Sequence, residues 1–182
     1  MSMESNKSRS KKENQPLVNI ILIGLPGSGK TSLGEALAQK LGFSFKDSDR
    51  VIEEESGQTI PSLFEKGESY FRRIESQVLI KLSRERGIVL ATGGGAVLRA
   101  ENMHHLKNSG KVIWIDRPLE KIKEDLDPSH RPLLAKNLQK LDQLDLNRRP
   151  LYEGYADHHY INSGNFDQAL AELSKLAENL LP

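Results

Sequence analysis

Residues 17–42 read LVNIILIGLPGSGKTSLGEALAQKLG, and few stretches restrict a fold so tightly. The apolar run up to Gly24 is too short for a helix and rich in β-branched residues, so it predicts a buried strand. SLGEALAQKLG then recurs with helical period and stops at Gly42, a residue suited to ending a helix. Between them GLPGSGKT, residues 24–31, matches G-x-x-x-x-G-K-[ST] in the strand–loop–helix setting that gives this spacing its mechanism. Gly27 and Gly29 let successive backbone N–H groups converge on an anion at a helix N-terminus. Lys30 reaches the outer phosphates, and the Thr31 hydroxyl is placed for Mg²⁺. The loop through Gly27, Ser28, Gly29, Lys30, Thr31 and Ser32 is therefore the expected cradle for a nucleoside triphosphate.

Further apolar runs, GIVLAT (87–92), KVIWID (111–116) and HHYIN (158–162), alternate with helical patterns over 59–86, about 99–107, a stretch ending near Asp157, and a closing segment from Phe166. A short FSF strand (43–45) follows the first helix. Strands alternating with helices imply an α/β fold with a parallel sheet covered on both faces. With 182 residues, one domain over 17–182 is the expectation, preceded by a disordered polar and basic tail over 1–16. The 124–136 segment, EDLDPSHRPLLAK, has two prolines and mixed charge and reads as a mobile excursion. Lys and Arg number 26 against 25 Asp and Glu, so no global charge points to nucleic acid or a membrane surface. There is no cysteine for a disulfide or a thiolate metal site. No apolar run approaches the roughly 20 residues of a spanning helix, and a cytoplasmic location is the expectation.

The loop alone leaves several activities open. A GTPase would need N-K-x-D and D-x-x-G, and neither occurs. An ATPase motor pairs the loop with an apolar strand ending in Asp and often Glu. Asp116 ends such a strand, but Arg117–Pro118 follows it, and Asp116 reads instead as a cap for the next helix. A small-molecule kinase needs a carboxylate for the metal, a pocket for the accepting hydroxyl, and positive charge over the transferring phosphoryl. Candidates for all three are present. Asp47 and Asp49 flank Ser48 at the carboxyl end of the second strand, sharing a face if the chain is extended there. Such strand ends are where open α/β sheets keep their ligands. YFRRIE supplies Arg72 and Arg73, ATGGGAV places Gly93, Gly94 and Gly95 after the third strand, SHRPLL offers Arg131, and NRRPLY offers Arg148 and Arg149.

In this order and spacing the loop, D-x-D, F-R-R-x-E, G-G-G-A, R-P-L-L and R-x-P-L-Y resemble the shikimate kinases, over about Leu17 to Asn162. The resemblance implies a three-layer P-loop kinase fold like that of nucleoside monophosphate kinases. Its parts would be a central five-stranded parallel sheet, a helical substrate-binding region near 48–76, and a lid near 124–136. It implies ATP and Mg²⁺ as co-substrate and metal, shikimate as acceptor, and shikimate 3-phosphate as product, a step of aromatic amino-acid biosynthesis. A monomer that binds only small molecules is the corresponding expectation. By position, Asp47 with Thr31 resembles the metal side, and Asp49 the carboxylate that holds the acceptor's ring hydroxyls. Arg72 and Arg148 resemble the arginines that grip the acceptor carboxylate, with Glu75 orienting Arg72, and the N–H groups of Gly94 and Gly95 complete that pocket. Arg131 resembles the lid arginine, acting with Lys30 and Asp49 in catalysis. Arg73 and Arg149 read as solvent-facing or salt-bridged. One departure stands out. Many relatives carry a base-stacking arginine about seven positions before R-P-L-L, where this chain has Glu124, so the INSGN loop (161–165) is the alternative source of base contacts. Other acceptors, such as gluconate or a nucleoside monophosphate, and a nucleotide-binding module without turnover remain as competing readings.

Overall fold

The computed structural model describes residues 18–125 and 135–182. The expected tail over 1–16, Arg131 and most of the expected lid lie outside the described residues. Five parallel strands form one sheet in the order β2-β3-β1-β4-β5. They are β1 Asn19–Ile23, β2 Ser44–Asp47, β3 Ile88–Ala91, β4 Gly110–Asp116 and β5 His158–Ile161. β1 lies in the middle, so both of its faces are covered and all five residues are buried. That is why its sequence is a continuous apolar run rather than an alternating one.

Alternation still decides which layer each side chain joins. Ile20 and Leu22 pack with Leu33 and Leu37 of α1 (Lys30–Leu41) and with Leu173 and Ala177 of α8 (Phe166–Leu180). Ile21 and Ile23 join the opposite layer. There they meet Leu79 of α4 (Glu68–Leu82), Leu106 of α5 (Ala100–Ser109) and Tyr152 of α7 (Ala135–Tyr155). Each fully buried Ile or Leu contributes about 1.5–3 kcal/mol. The sheet is thereby held rigidly from both sides, and its carboxyl edge carries the loops that matter for function.

The expected helical stretch over 59–86 is two helices. α3 (Ile60–Glu65) starts under Thr59, whose hydroxyl accepts the Ser62 N–H at 3.3 Å, with Pro61 in the first turn. The chain then breaks at Gly67, where φ is +109°, before α4 begins. α2 (Ser48–Ser56) starts directly after β2. Asp47 and Asp49 are therefore adjacent because a strand hands over to a helix between them, not because they alternate along one strand. Among the described residues the side chain of Asp116 accepts no backbone N–H and so caps no helix. Its carboxylate takes Arg149 through two hydrogen bonds of 2.9 Å and His159 at 2.8 Å. Arg149 is thus salt-bridged, one of its two expected states. His159 sits at the strand edge but stacks on Trp114, with ring centroids 4.1 Å apart.

Candidate active site

The carboxyl ends of β1, β2 and β3 surround a cavity of about 570 Å³ lined by Lys30, Thr31, Asp47, Asp49, Gly93 and Arg117, among others. Crevices at this edge of an open sheet form where strand order switches direction, which here is at β1. The phosphate-loop turn depends on Gly27 at φ +80° and Gly29 at φ +97°, values that residues with a Cβ rarely adopt. Asn162, at the end of β5, donates to the Ser28 carbonyl at 3.0 Å and ties the loop to the far strand. A smaller cavity of about 230 Å³ shares Gly29, Ser32 and Arg117 with the main one and extends to Asn162, Gly164 and Phe166.

Lys30 is buried, and its ammonium donates to the loop's own carbonyls, Gly24 O at 2.8 Å and Leu25 O at 2.7 Å. Burial pushes its pKa down to about 8, against the opposing pull of Asp49 and Asp47 and with help from Arg148. Thr31 donates its hydroxyl to Asp47 Oδ2 at 2.8 Å. Asp47 Oδ1 accepts the Asp49 N–H at 3.0 Å and the Arg50 N–H at 3.3 Å. Asp47 therefore caps α2 and faces the phosphate loop at once. Two hard oxygen donors side by side suit a magnesium ion that takes its remaining ligands from phosphate and water.

Burial, then the neighbouring Asp47, raises the Asp49 carboxyl above the usual carboxylate range, and Lys30 partly offsets this. Ser48, wholly buried, accepts the Gly93 N–H at 2.9 Å and locks the glycine turn to the start of α2. A Cβ placed on Gly93 would lie 2.7 Å from Asp49 Oδ1, which measures how closely the turn passes that carboxylate. At Gly94 the same construction meets Pro26 Cδ at 2.9 Å and Arg148 Nη1 at 3.3 Å. At Gly95 it meets Arg72 Cζ at 2.6 Å. The three glycines thus run from Asp49, past the phosphate loop and Arg148, to Arg72. Only a backbone without side chains can approach four such groups.

Arg72 is held by Glu75 at 2.7 Å, its expected partner, and by Glu68 at 3.3 Å. Its guanidinium also lies 5.1 Å from the Phe71 ring centroid and 5.7 Å from that of Phe64. Burial raises the Glu75 carboxyl, while Arg72 pulls it back. All the expected acceptor-side residues within the described chain, Asp49, Arg72, Gly94, Gly95 and Arg148, meet around this turn. Sequence reasoning gave no role to Ser48, Pro26 or Arg117, and it counted Asn162 only as part of the INSGN loop, not as a tie to the phosphate loop. Ser48 had a usable signal, since it lies between the two aspartates at the start of a helix.

A family model for shikimate kinase matches residues 26–178. A curated shikimate kinase from Clostridium botulinum (strain Alaska E43 / Type E3) is 41% identical over 160 residues, covering 88% of this chain and 97% of that protein. The chain belongs to the shikimate kinase family. Among solved structures, shikimate kinase from Acinetobacter baumannii in complex with shikimate superposes with a TM-score of 0.80 at 40% identity, covering 90% of this chain and 94% of the other. A gluconokinase from Sinorhizobium meliloti 1021, at 20% identity and a TM-score of 0.57, covers 92% of this chain and 97% of its own; it shares the fold alone. This member of the family is accordingly an enzyme, a kinase with the P-loop kinase fold and the family's co-substrate, ATP. Among the described residues no helix is long and apolar enough to cross a membrane.

Proposed function

We propose that the enzyme transfers the γ-phosphoryl group of ATP to the 3-hydroxyl of shikimate, giving shikimate 3-phosphate and ADP, with Mg²⁺ bound beside the phosphates. One observation carries the choice of acceptor. Two guanidiniums, Arg72 and Arg148, flank the Gly94–Gly95 turn, and Asp49 stands at its other end beside the phosphate loop. Fixed planar cations suit a carboxylate, and a carboxylate side chain suits ring hydroxyls, so the set favours a small polyhydroxy acid.

The backbone N–H groups of Gly27 to Lys30 and the Lys30 ammonium hold the triphosphate, and Ser32 adds a hydroxyl in the first turn of α1. Lys30 exchanges the carbonyls of Gly24 and Leu25 for phosphate oxygens, whose charge restores its proton. Thr31 and Asp47 would hold the metal ion, which would neutralise charge on the β- and γ-phosphates. Asp49 accepts a hydrogen bond from the acceptor hydroxyl and aims that oxygen at the γ-phosphorus. As the new P–O bond forms and the bond to the β-phosphate oxygen breaks, the hydroxyl proton passes late to Asp49. Its raised pKa makes Asp49 a better proton acceptor than an ordinary aspartate. Arg131 supplies charge to the phosphoryl in transit. The N–H groups of Gly94 and Gly95, with Arg72 and Arg148, fix the acceptor ring. The same reading takes residues 1–16 as a tail and 17–182 as one domain, working as a cytoplasmic monomer on small molecules; light scattering tests the monomer.

A coupled ADP-release assay offered shikimate, quinate, gluconate and AMP separately tests the acceptor. Turnover with shikimate well above the others is expected. ADP release independent of any acceptor, or preference for gluconate or AMP, would overturn the reading.

A further inference from the structure

Tyr152 belongs to no step above, yet it is 1% exposed and donates its hydroxyl to the Gly94 carbonyl at 2.6 Å. We propose that Tyr152 is a positioning residue for the acceptor, fixing both the Gly94–Gly95 peptide and the Arg148 guanidinium; this rests on the shikimate reading above.

In a trans peptide the carbonyl of one residue and the N–H of the next point in opposite directions. Anchoring Gly94 O on the α7 side therefore aims the Gly95 N–H the other way. Neither the Gly94 nor the Gly95 N–H finds a protein acceptor among the described residues, whereas Gly93 donates to Ser48 and Ala96 to Gly93 O. Two unpaired donors in a turn that is half-buried at Gly94 and buried at Gly95 call for an acceptor from elsewhere. A flexible glycine turn does not hold such a direction by itself. The phenol does.

The same hydroxyl governs Arg148. That arginine lies one turn earlier on α7, so residues 148 and 152 share a helix face. Arg148 Nη1 lies 3.3 Å from where a Cβ on Gly94 would stand, and the phenol binds the carbonyl of that same glycine, so both groups border Gly94. Burial pushes the phenol's pKa up to about 12, with Arg148 opposing the rise, so the hydroxyl keeps its proton and remains a donor to Gly94 across the working range. The ring is set from behind by Trp114, at 5.9 Å between centroids. Trp114 is in turn covered by Arg149, whose guanidinium lies 5.0 Å from its centroid while bound to Asp116. The end of β4 thus backs the phenol that orients the acceptor turn.

The test is Tyr152→Phe, which keeps the ring against Trp114 and removes only the hydroxyl. Shikimate KM is expected to rise about fivefold or more, because the part-buried Gly94 carbonyl loses the donor that fixes its direction. ADP affinity, measured without shikimate, is expected to stay within twofold. A shikimate KM within twofold of wild type, or equal losses for both ligands, would overturn the proposal. Should the variant fail to fold, glycine-selective ¹⁵N labelling of the wild-type enzyme decides. The Gly95 N–H signal must shift with shikimate and not with ADP alone, and the reverse pattern sinks the idea. A wild-type enzyme that ignores shikimate would remove the acceptor reading and this proposal together. A wild-type enzyme that accepts shikimate beside an unaltered Y152F removes only the proposal.

Discussion

Replacing Gly95 by alanine sets a backbone gain in stability against crowding of Arg72 and a loss of function, and the structure predicts the outcome of each assay. Gly95 has φ −96° and ψ 2°, so alanine fits the backbone without strain. Removing glycine's freedom in the unfolded chain stabilises by about 0.4–1 kcal/mol at such positions. The new methyl, however, would stand 2.6 Å from Arg72 Cζ. Ordinary carbon contacts need about 3.5 Å or more, so the guanidinium must retreat by roughly 1 Å. It has little room, being pinned to Glu75 at 2.7 Å and to Glu68 at 3.3 Å. A retreat of that size pulls the guanidinium out of line with the acceptor carboxylate and costs one charge-assisted hydrogen bond to it, on the order of 1.5–3 kcal/mol. Converted at about 1.4 kcal/mol per factor of ten, shikimate KM should rise roughly 10- to 150-fold. The ADP-release assay at saturating ATP measures this, with ADP affinity as the control expected to change little. The crowding costs about 1–3 kcal/mol and outweighs the backbone gain, so the melting temperature should fall slightly. A G95A enzyme with wild-type shikimate KM would refute the claim that Arg72 grips the acceptor beside this turn.

Asp49→Ala should reduce turnover by about 10²- to 10⁴-fold while leaving ADP binding intact, since positioning and late proton acceptance are lost together; a turnover number near wild type contradicts that role. Arg148→Ala should raise shikimate KM, and a variant losing only nucleotide affinity would be the contrary result. Lys30, with its pKa lowered to about 8, is half deprotonated at pH 8, and phosphate binding should draw the proton back. Calorimetry with ADP at pH 8 in buffers of different ionisation enthalpy should therefore detect uptake of about half a proton, and affinity should fall as pH rises through 8. Binding without proton uptake would show that Lys30 stays charged throughout. Burial alone would raise the Asp116 carboxyl, but hydrogen bonds from Arg149 and His159 hold it below its ordinary value. Its stabilisation is thus full above about pH 4 and lost as pH falls through the folded value. With the Arg149 side chain 39% exposed, screening limits Asp116→Asn to about 1–2 kcal/mol. That corresponds to a melting point lower by about 2–8 °C at neutral pH, the difference shrinking in acid.

Much of this architecture is legible in the residues. The apolar run before Gly24 could only be a strand covered on both faces, and Arg72 and Glu75, three apart on a helix, could only be neighbours. The sheet order was not legible, because pattern reveals that strands alternate with helices but not which strands pair. Nor was the partner of Asp116, nor that Asp47 would cap a helix and face Thr31 at once. Each depends on where a neighbouring element begins: α2 at Ser48 lets Asp47 cap and face Thr31 together, and α7 brings Arg149 onto Asp116. The contacts of Tyr152 with Gly94 and of Asn162 with Ser28 join residues 58 and 134 positions apart. No local spacing encodes them; only the completed sheet does.

A crystal structure with ADP and shikimate tests the central claim most directly. The account predicts the shikimate carboxylate within hydrogen-bond reach of both the Arg72 and Arg148 guanidiniums, and the 3-hydroxyl on Asp49, facing the phosphate loop. Shikimate bound elsewhere, or with its carboxylate turned toward Lys30 and away from those two arginines, would contradict it.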